Sequence, residues 1–293
     1  MKKVLITGKD SYIGTSVKNW LMSSGKQHYV VDEVCVKCKD WRNRDFSGYD
    51  AVFHVAGIAH SDTRNANEET KALYYKVNTD LTVEVAKKAK FDGAYQFIFM
   101  SSMIVYGDSA PLGKMKMVTE DTLPMPSNFY GDSKWQAEIG LAALKSSSFK
   151  VAIIRPPMVY GKGSKGNYPR LVQLAQKLPV FADVENVRSM LYIENLCEFV
   201  RLVINNVDDG IFYPQNAEYV KTTDLVAEIA RVHGKKIYLT RVFNPFLKLL
   251  VGHVNLLDKV FGNLSYDMAL SEYKDDYIVR NFKDSVRESI KAE

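Results

Sequence analysis

Three side chains have the types and spacing to move a proton to or from an oxygen: Ser102, Tyr130 and Lys134. Tyr130-Gly-Asp-Ser-Lys134 sets a phenol and an ammonium four residues apart, so on a helix they share one face. An ordinary tyrosine has a pKa of about 10, but a positive charge beside it favours the phenolate and makes it a usable general acid/base near neutrality. A Tyr-x-x-x-Lys spacing recurs by chance, so its weight comes from its company. Upstream, Ser101-Ser102-Met-Ile-Val-Tyr106-Gly107 follows an apolar run that reads as a strand, and loops at the carboxyl ends of parallel strands are where open sheets carry ligands. Ser102 would hydrogen-bond the reacting oxygen and orient it.

These residues need a frame. Apolar runs at 4–7, 29–36, 51–55, 96–101 and 150–155 read as strands, and they alternate with helical patterns at 14–23, 71–90 and 130–144. That alternation predicts an α/β, Rossmann-like doubly wound parallel sheet covered on both faces. Beyond Gly161 the regularity fades: a loop with Gly161, Gly163 and Gly166 leads to a helix near 169–177, and short elements follow. The expected division is a dinucleotide-binding part at 1–161 and a smaller mixed α/β substrate-binding region at 162–293, interleaved with the first.

The first strand ends in Thr7-Gly8-Lys-Asp-Ser11-Tyr12-Ile13-Gly14 directly before a helix, where glycine lets backbone approach a pyrophosphate lying on the helix N-terminus. Ser11 stands where a third glycine is usual and is small enough to be tolerated. The turn reads as a dinucleotide site, the alternative being a tight turn without ligand; as a dinucleotide site it would give Lys134 a second role, that of holding a nicotinamide ribose. Asp32, eighteen residues after Gly14, has the spacing of the acid that holds the adenosine ribose hydroxyls of NAD. If the second strand continues through Val34 and Val36, its cofactor-facing end moves to Lys37, whose charge would favour the 2'-phosphate of NADP; NAD and NADP both stay open. Val55-Ala56-Gly57 supplies small residues beside a flat ligand, with His54 before them as a strand-end residue rather than a catalyst. Asn78 can brace the site by hydrogen-bonding backbone, and Pro156 follows the strand at 150–155.

Composition narrows the alternatives. The 293 residues are 46% hydrophobic and 25% charged, enough for a buried core. The net charge of +5 is scattered, with no basic run long enough to track a polyanion, so nucleic acid is not an expected partner. The apolar stretch after Met1-Lys-Lys is too short for a secretory leader, and no transmembrane segment is read. The stretch 246–264 is rich in Leu, Val and Phe but interrupted by Lys248, His253, Asp258 and Lys259. It reads as an amphipathic helix packing internally, at a dimer contact or on a membrane surface. Cys35, Cys38 and Cys197 cannot all pair, and Cys-x-x-Cys without a second pair completes no zinc site, so no metal is expected and reduced, cytoplasmic thiols are.

The glycine turn, HVAG, SSMIVYG, YGDSK and RPPMVYG occur here in the order and spacing of extended short-chain dehydrogenase/reductases, a resemblance covering essentially the whole chain. Within that family the chain resembles the NAD-dependent epimerase/dehydratase type. The nearer likeness is to the UDP-sugar 4-epimerase and 4-ketoreductase branch of bacterial capsule and O-antigen synthesis, carried by Ile154-Arg-Pro-Pro-Met-Val-Tyr160-Gly161 and Phe261-Gly-Asn-Leu-Ser265. The resemblance implies an NAD(P)-dependent enzyme acting on a UDP-sugar, with Ser102, Tyr130 and Lys134 catalytic. It further implies Asn167 near the substrate diphosphate, Arg188 on its phosphates, and a homodimer. Dehydratases of the family carry an Asp-Glu pair after the catalytic hydroxyl residue, where this chain has Met103 and Ile104. The expected reaction is reduction of a UDP-4-keto-6-deoxy-N-acetylhexosamine; the alternative is a UDP-hexose 4-epimerase with tightly bound NAD. A non-enzymatic NAD(P)-sensing subunit is disfavoured by the intact Ser, Tyr and Lys.

Overall fold

Short, nearly unbroken apolar runs form the centre of the molecule, as strands covered on both faces require. The computed structural model describes residues 1–23, 29–59, 66–245, 247 and 260–290. In chain order the first elements are β1 (Lys2–Thr7), α1 (Tyr12–Ser23), β2 (Tyr29–Val34), β3 (Ala51–His54), α2 (Glu68–Tyr74) and a π-helical turn, Tyr75–Asp80. Then come α3 (Leu81–Phe91), β4 (Gln96–Met100), a 3-10 turn (Met103–Tyr106), β5 (Met117–Val118), α4 (Phe129–Ala142) and β6 (Lys150–Ile154). The remainder holds β7 (Met158–Tyr160), α5 (Asn167–Lys177), β8 (Val180–Ala182), β9 (Met190–Tyr192), α6 (Ile193–Asn206), β10 (Gly210–Phe212), α7 (Thr222–Val232), β11 (Tyr238–Thr240), β12 (Ser265–Tyr266) and α8 (Phe282–Ile290).

Two compact units emerge: residues 1–107, 123–156 and 196–214 form the first, and 108–122, 157–195 and 215–293 the second. The first is built on a six-stranded sheet of order β10-β6-β4-β3-β1-β2, every neighbouring pair parallel. Leu5, Val52, Phe97, Phe99, Val85, Ala86, Leu141 and Val151 are fully or almost fully buried in its core. Strand order reverses between β1 and β3, and the crevice beyond the carboxyl ends at such a point is where doubly wound sheets bind ligands. The expected α/β parallel fold is therefore present.

Boundaries differ by a residue or two, and one difference matters. β2 ends at Val34, not Val36: the Val34 carbonyl accepts the Gly8 amide at 3.2 Å, and Val36 is buried without extending the strand. Apolar alternation cannot distinguish those two cases.

The second unit pairs short strands two by two, β5 with β12, β7 with β9 and β8 with β11. A polar core locks it: the Tyr160 hydroxyl meets Ser285 at 2.6 Å and accepts from the Asn216 amide at 3.0 Å. The helix expected at 246–264 lies outside the described residues at 246 and 248–259; at its end Val260, Phe261 and Leu264 are buried, with Phe261 against Phe181. Among the described residues no helix is long and apolar enough to cross a membrane.

Candidate active site

β1 runs into Gly8 with φ +97°, in the left-handed region that favours glycine, and a Cβ there would lie 2.9 Å from the Ala56 nitrogen. The exits of β1 and β3 can approach this closely because that position is glycine. Ser11 acts in the turn as a cap: its amide donates to the Gly8 carbonyl at 3.0 Å, and its hydroxyl accepts the Gly14 amide at 3.2 Å at the start of α1. Tyr12 and Ile13 open α1 beside it.

After β3, Val55, Ala56 and Gly57 lead to Ile58, whose amide donates to Asn78 Oδ1 at 2.8 Å; Asn78 Nδ2 returns a bond to the Ile58 carbonyl at 3.1 Å. A Cβ on Gly57 would sit 3.1 Å from Asn78 Oδ1 and 3.2 Å from Lys134 Nζ, so a side chain there would fill the space above the lysine. A positive-φ glycine turn, a capped helix start and a small-residue ledge leading to Lys134 fit a nicotinamide dinucleotide: pyrophosphate at the α1 start, nicotinamide end near Lys134.

Asp32 and Lys37 lie along and beyond β2. Asp32 lies opposite Leu5, three residues before the β1 turn, which is ~10 Å of strand. Its carboxylate accepts from the Tyr49 hydroxyl at 2.7 Å and stands 3.9 Å from Arg44. Lys37 is exposed, three residues past the end of β2.

Ser102, Tyr130 and Lys134 are brought together. Asn128 caps α4 by accepting the Gly131 amide at 3.0 Å, which starts the helix at Phe129 and sets Tyr130 and Lys134 one turn apart. The π-helical turn grips the other side of α4: the Tyr75 hydroxyl donates to Asp132 at 2.6 Å, Asn78 Nδ2 to Ser133 Oγ at 3.1 Å and Thr79 Oγ1 to the Ser133 carbonyl at 2.7 Å. Tyr130 stands where α4 meets the turn after Ser102, through the close approach of Gly131 to the Ile104 carbonyl. Burial pushes the pKa of its phenol up to about 12; the Ser102 hydroxyl pulls the other way, and Tyr74, whose ring meets it edge-on, adds to the rise. Lys134 donates to the Met100 carbonyl at 2.9 Å and lies over the Phe99 ring. Desolvation pushes it down to about 8, against the opposing pull of Glu138. Pro156 closes the back: its carbonyl accepts the Met103 amide at 2.9 Å.

Beneath these groups lies buried polar structure, of which motif reading picked out His54 and missed Glu138 and Arg155. His54 is buried between Thr7 Oγ1 at 2.7 Å and Thr82 Oγ1 at 3.0 Å; desolvation and then the Lys134 charge hold it down at about 3, so it is a neutral brace. Glu138 and Arg155 form a buried ion pair at 2.6 Å, and Ser101 donates to the same carboxylate. The available signal for Glu138 was its position, four residues beyond Lys134 on the same helix face.

Asn167 and Arg188 belong to the second unit. Asn167 is the first residue of α5, directly after Gly166 at φ +93°. Arg188 bridges Val220 and Leu264 through its backbone and donates to the Val260 carbonyl at 3.2 Å; desolvation of its guanidinium pushes its pKa down to about 10.

Comparison with known proteins agrees with this architecture. The chain is 32% identical over 293 aligned positions to UDP-glucose 4-epimerase of Vibrio cholerae, covering 92% of this chain and 88% of that one. It is 28% identical over 279 positions to N-acetyl-alpha-D-glucosaminyl-diphospho-ditrans,octacis-undecaprenol 4-epimerase of Escherichia coli O157:H7, covering 88% and 81%. A dTDP-4-dehydrorhamnose reductase of Clostridium acetobutylicum shares the fold, with TM-score 0.73 and 20% identity over 98% of each chain. Residues 4–213 match the model of the NAD dependent epimerase/dehydratase family, and to that family the chain belongs.

Proposed function

We propose that the protein oxidises and re-reduces one carbon of a UDP-sugar, most specifically C4, as a 4-epimerase. The placing of Tyr130 on α4 against the turn after Ser102, with Lys134 one helical turn away, carries this reading. When bound, the oxidised nicotinamide supplies a hydride acceptor and a positive charge that favours the Tyr130 phenolate. Tyr130 takes the alcohol proton as the carbonyl forms and returns it on reduction. Ser102 holds the same oxygen, and Lys134 supports the phenolate and binds the nicotinamide ribose. Gly8, Ser11, Tyr12, Ile13 and Gly14 would cradle the pyrophosphate, with Val55, Ala56, Gly57, Asn78 and Pro156 shaping the walls. In the second unit, Arg188 and Asn167 are the candidates for the substrate diphosphate, a guanidinium suiting phosphate oxygens.

The same residues serve a 4-ketoreductase, which consumes NAD(P)H at each turnover and which motif reading placed first. The Vibrio cholerae and Escherichia coli relatives, both 4-epimerases, put the epimerase reading ahead. The test is NMR of UDP-glucose and UDP-N-acetylglucosamine incubated with purified protein without added cofactor, alongside mass spectrometry of nucleotide released on denaturation. Appearance of the 4-epimers with stoichiometric NAD supports the proposal. Cofactor-free protein that makes no epimer, but consumes NADPH with a UDP-4-keto sugar, replaces it with the reductase. A cytoplasmic homodimer belongs to the proposal too, resting on family resemblance and on three cysteines that cannot all pair; light scattering of the purified protein tests the dimer.

A further inference from the structure

A buried ion pair is a poor way to stabilise a fold, since well-packed apolar residues of similar volume often do as well or better. Glu138 and Arg155 are each 2% exposed, and their placement explains what apolar residues would not supply. Arg155 follows β6 and reaches Glu138 through Nε at 3.1 Å and NH2 at 2.6 Å, while its NH1 donates to the Tyr106 hydroxyl at 2.5 Å. Glu138 then accepts from Ser101, whose amide is tied to the Ile154 carbonyl at 2.8 Å. On the other side of Ser102, the Met103 amide is tied to the Pro156 carbonyl at 2.9 Å. Ser102 is thus bracketed by two pinned residues, one of them pinned through its side chain to Glu138. Glu138 also sits one turn along α4 from Lys134, and its charge opposes the burial that drives the lysine toward its neutral form.

We propose that Glu138, clamped by Arg155, is a positioning residue that fixes Ser102 through Ser101 and sets a carboxylate one helical turn from Lys134. The role rests on the reading of Ser102, Tyr130 and Lys134 as the reacting set. Among the described residues, the ionisable groups that act on the lysine are Glu138 of its own helix and His54 of β3, which burial holds neutral; Arg155, after β6, is paired to Glu138.

The test uses full-length protein with isotope-labelled lysine Cε, the Lys134 signal being identified by its loss in Lys134→Met. The native signal is expected to titrate well below an ordinary lysine, near 8. In Glu138→Gln its midpoint falls by roughly one unit, kcat with UDP-glucose falls about tenfold or more, and KM stays within about twofold. Because Glu138→Gln strands the Arg155 charge and can unfold the chain, Glu138→Gln/Arg155→Met removes the pair together; this double variant keeps a native melting temperature and still shows a lowered kcat and midpoint. A native Lys134 midpoint in the folded variants overturns the proposal, and so does a native kcat. Tyr130→Phe is measured beside them. Native turnover in Tyr130→Phe removes the assignment of the reacting set, whatever the Glu138 variants do; an inert Tyr130→Phe with native-like Glu138 variants removes the positioning role alone.

Discussion

Gly131 and Ile104 approach so closely that a Cβ on the glycine would stand 2.7 Å from the Ile104 carbonyl oxygen. This contact joins the start of α4 to the turn that follows Ser102, and so sets Tyr130 against Ser102. Gly131→Ala must move backbone on one side or the other, with an expected cost of about 1–3 kcal/mol and a drop in kcat of about tenfold or more. Gly140→Ala, farther along α4, meets Val83 Cγ2 at 2.5 Å, a β-branched side chain on a helix with little freedom to turn away. It should also lower the melting temperature, but leave kcat within about twofold because the clash does not involve the turn after Ser102. Equal losses of turnover in the two variants would detach the close approach from the chemistry.

Tyr130→Phe removes one hydroxyl and no packing. Calorimetric titration with NAD should give an affinity within a few-fold of native, while turnover falls by about 100-fold or more, the range of a lost general acid/base. Ser102→Ala should fall similarly in kcat with a smaller change in KM, since the serine acts on the reacting oxygen. Near-native turnover in Tyr130→Phe would eliminate the acid/base role.

Much of this frame was legible because parallel strands buried on both faces read as continuous apolar runs, as in the segments that became β3, β4 and β6. Ser102, Tyr130 and Lys134 were legible because motif order and helical spacing are local properties. The end of β2 shows the limit: apolar alternation runs on to Val36, whereas the strand pairs with β1 only as far as Val34. Glu138 and Arg155 were illegible for another reason. A glutamate and an arginine seventeen positions apart ordinarily read as surface charges, and nothing in composition says that strand β6 and helix α4 carry them to the same buried point.

Between NAD and NADP the choice stays open, with Asp32 and Lys37 the two candidates for the adenosine ribose. Lys37→Ala should weaken NADP binding about tenfold while changing NAD little, because a 2'-phosphate loses its counter-charge. Asp32→Asn should leave NAD affinity within about threefold, its carboxylate being engaged by Tyr49 and Arg44. Fluorescence titrations with both nucleotides decide the matter. A large loss of NAD affinity in Asp32→Asn would return ribose recognition to Asp32.

The lowered pKa of Lys134 makes a prediction about stability whose sign is fixed. Desolvation drops it to about 8 from 10.5, so the folded state binds this proton less tightly than the unfolded chain. At pH 7 both states are protonated and folding carries the cost of burying the charge. As pH rises from 8 the folded state releases its proton first, and the cost fades, to vanish above 10.5 where both states are neutral. Lys134→Met, which keeps the length and removes the charge, should therefore raise the stability of the cofactor-free protein at pH 7 by on the order of 1–3 kcal/mol. The gain should shrink between pH 8 and 10.5, while activity is lost at every pH. Urea unfolding of both proteins across that range checks it. A gain independent of pH would mean that packing, not charge burial, is what the methionine improves.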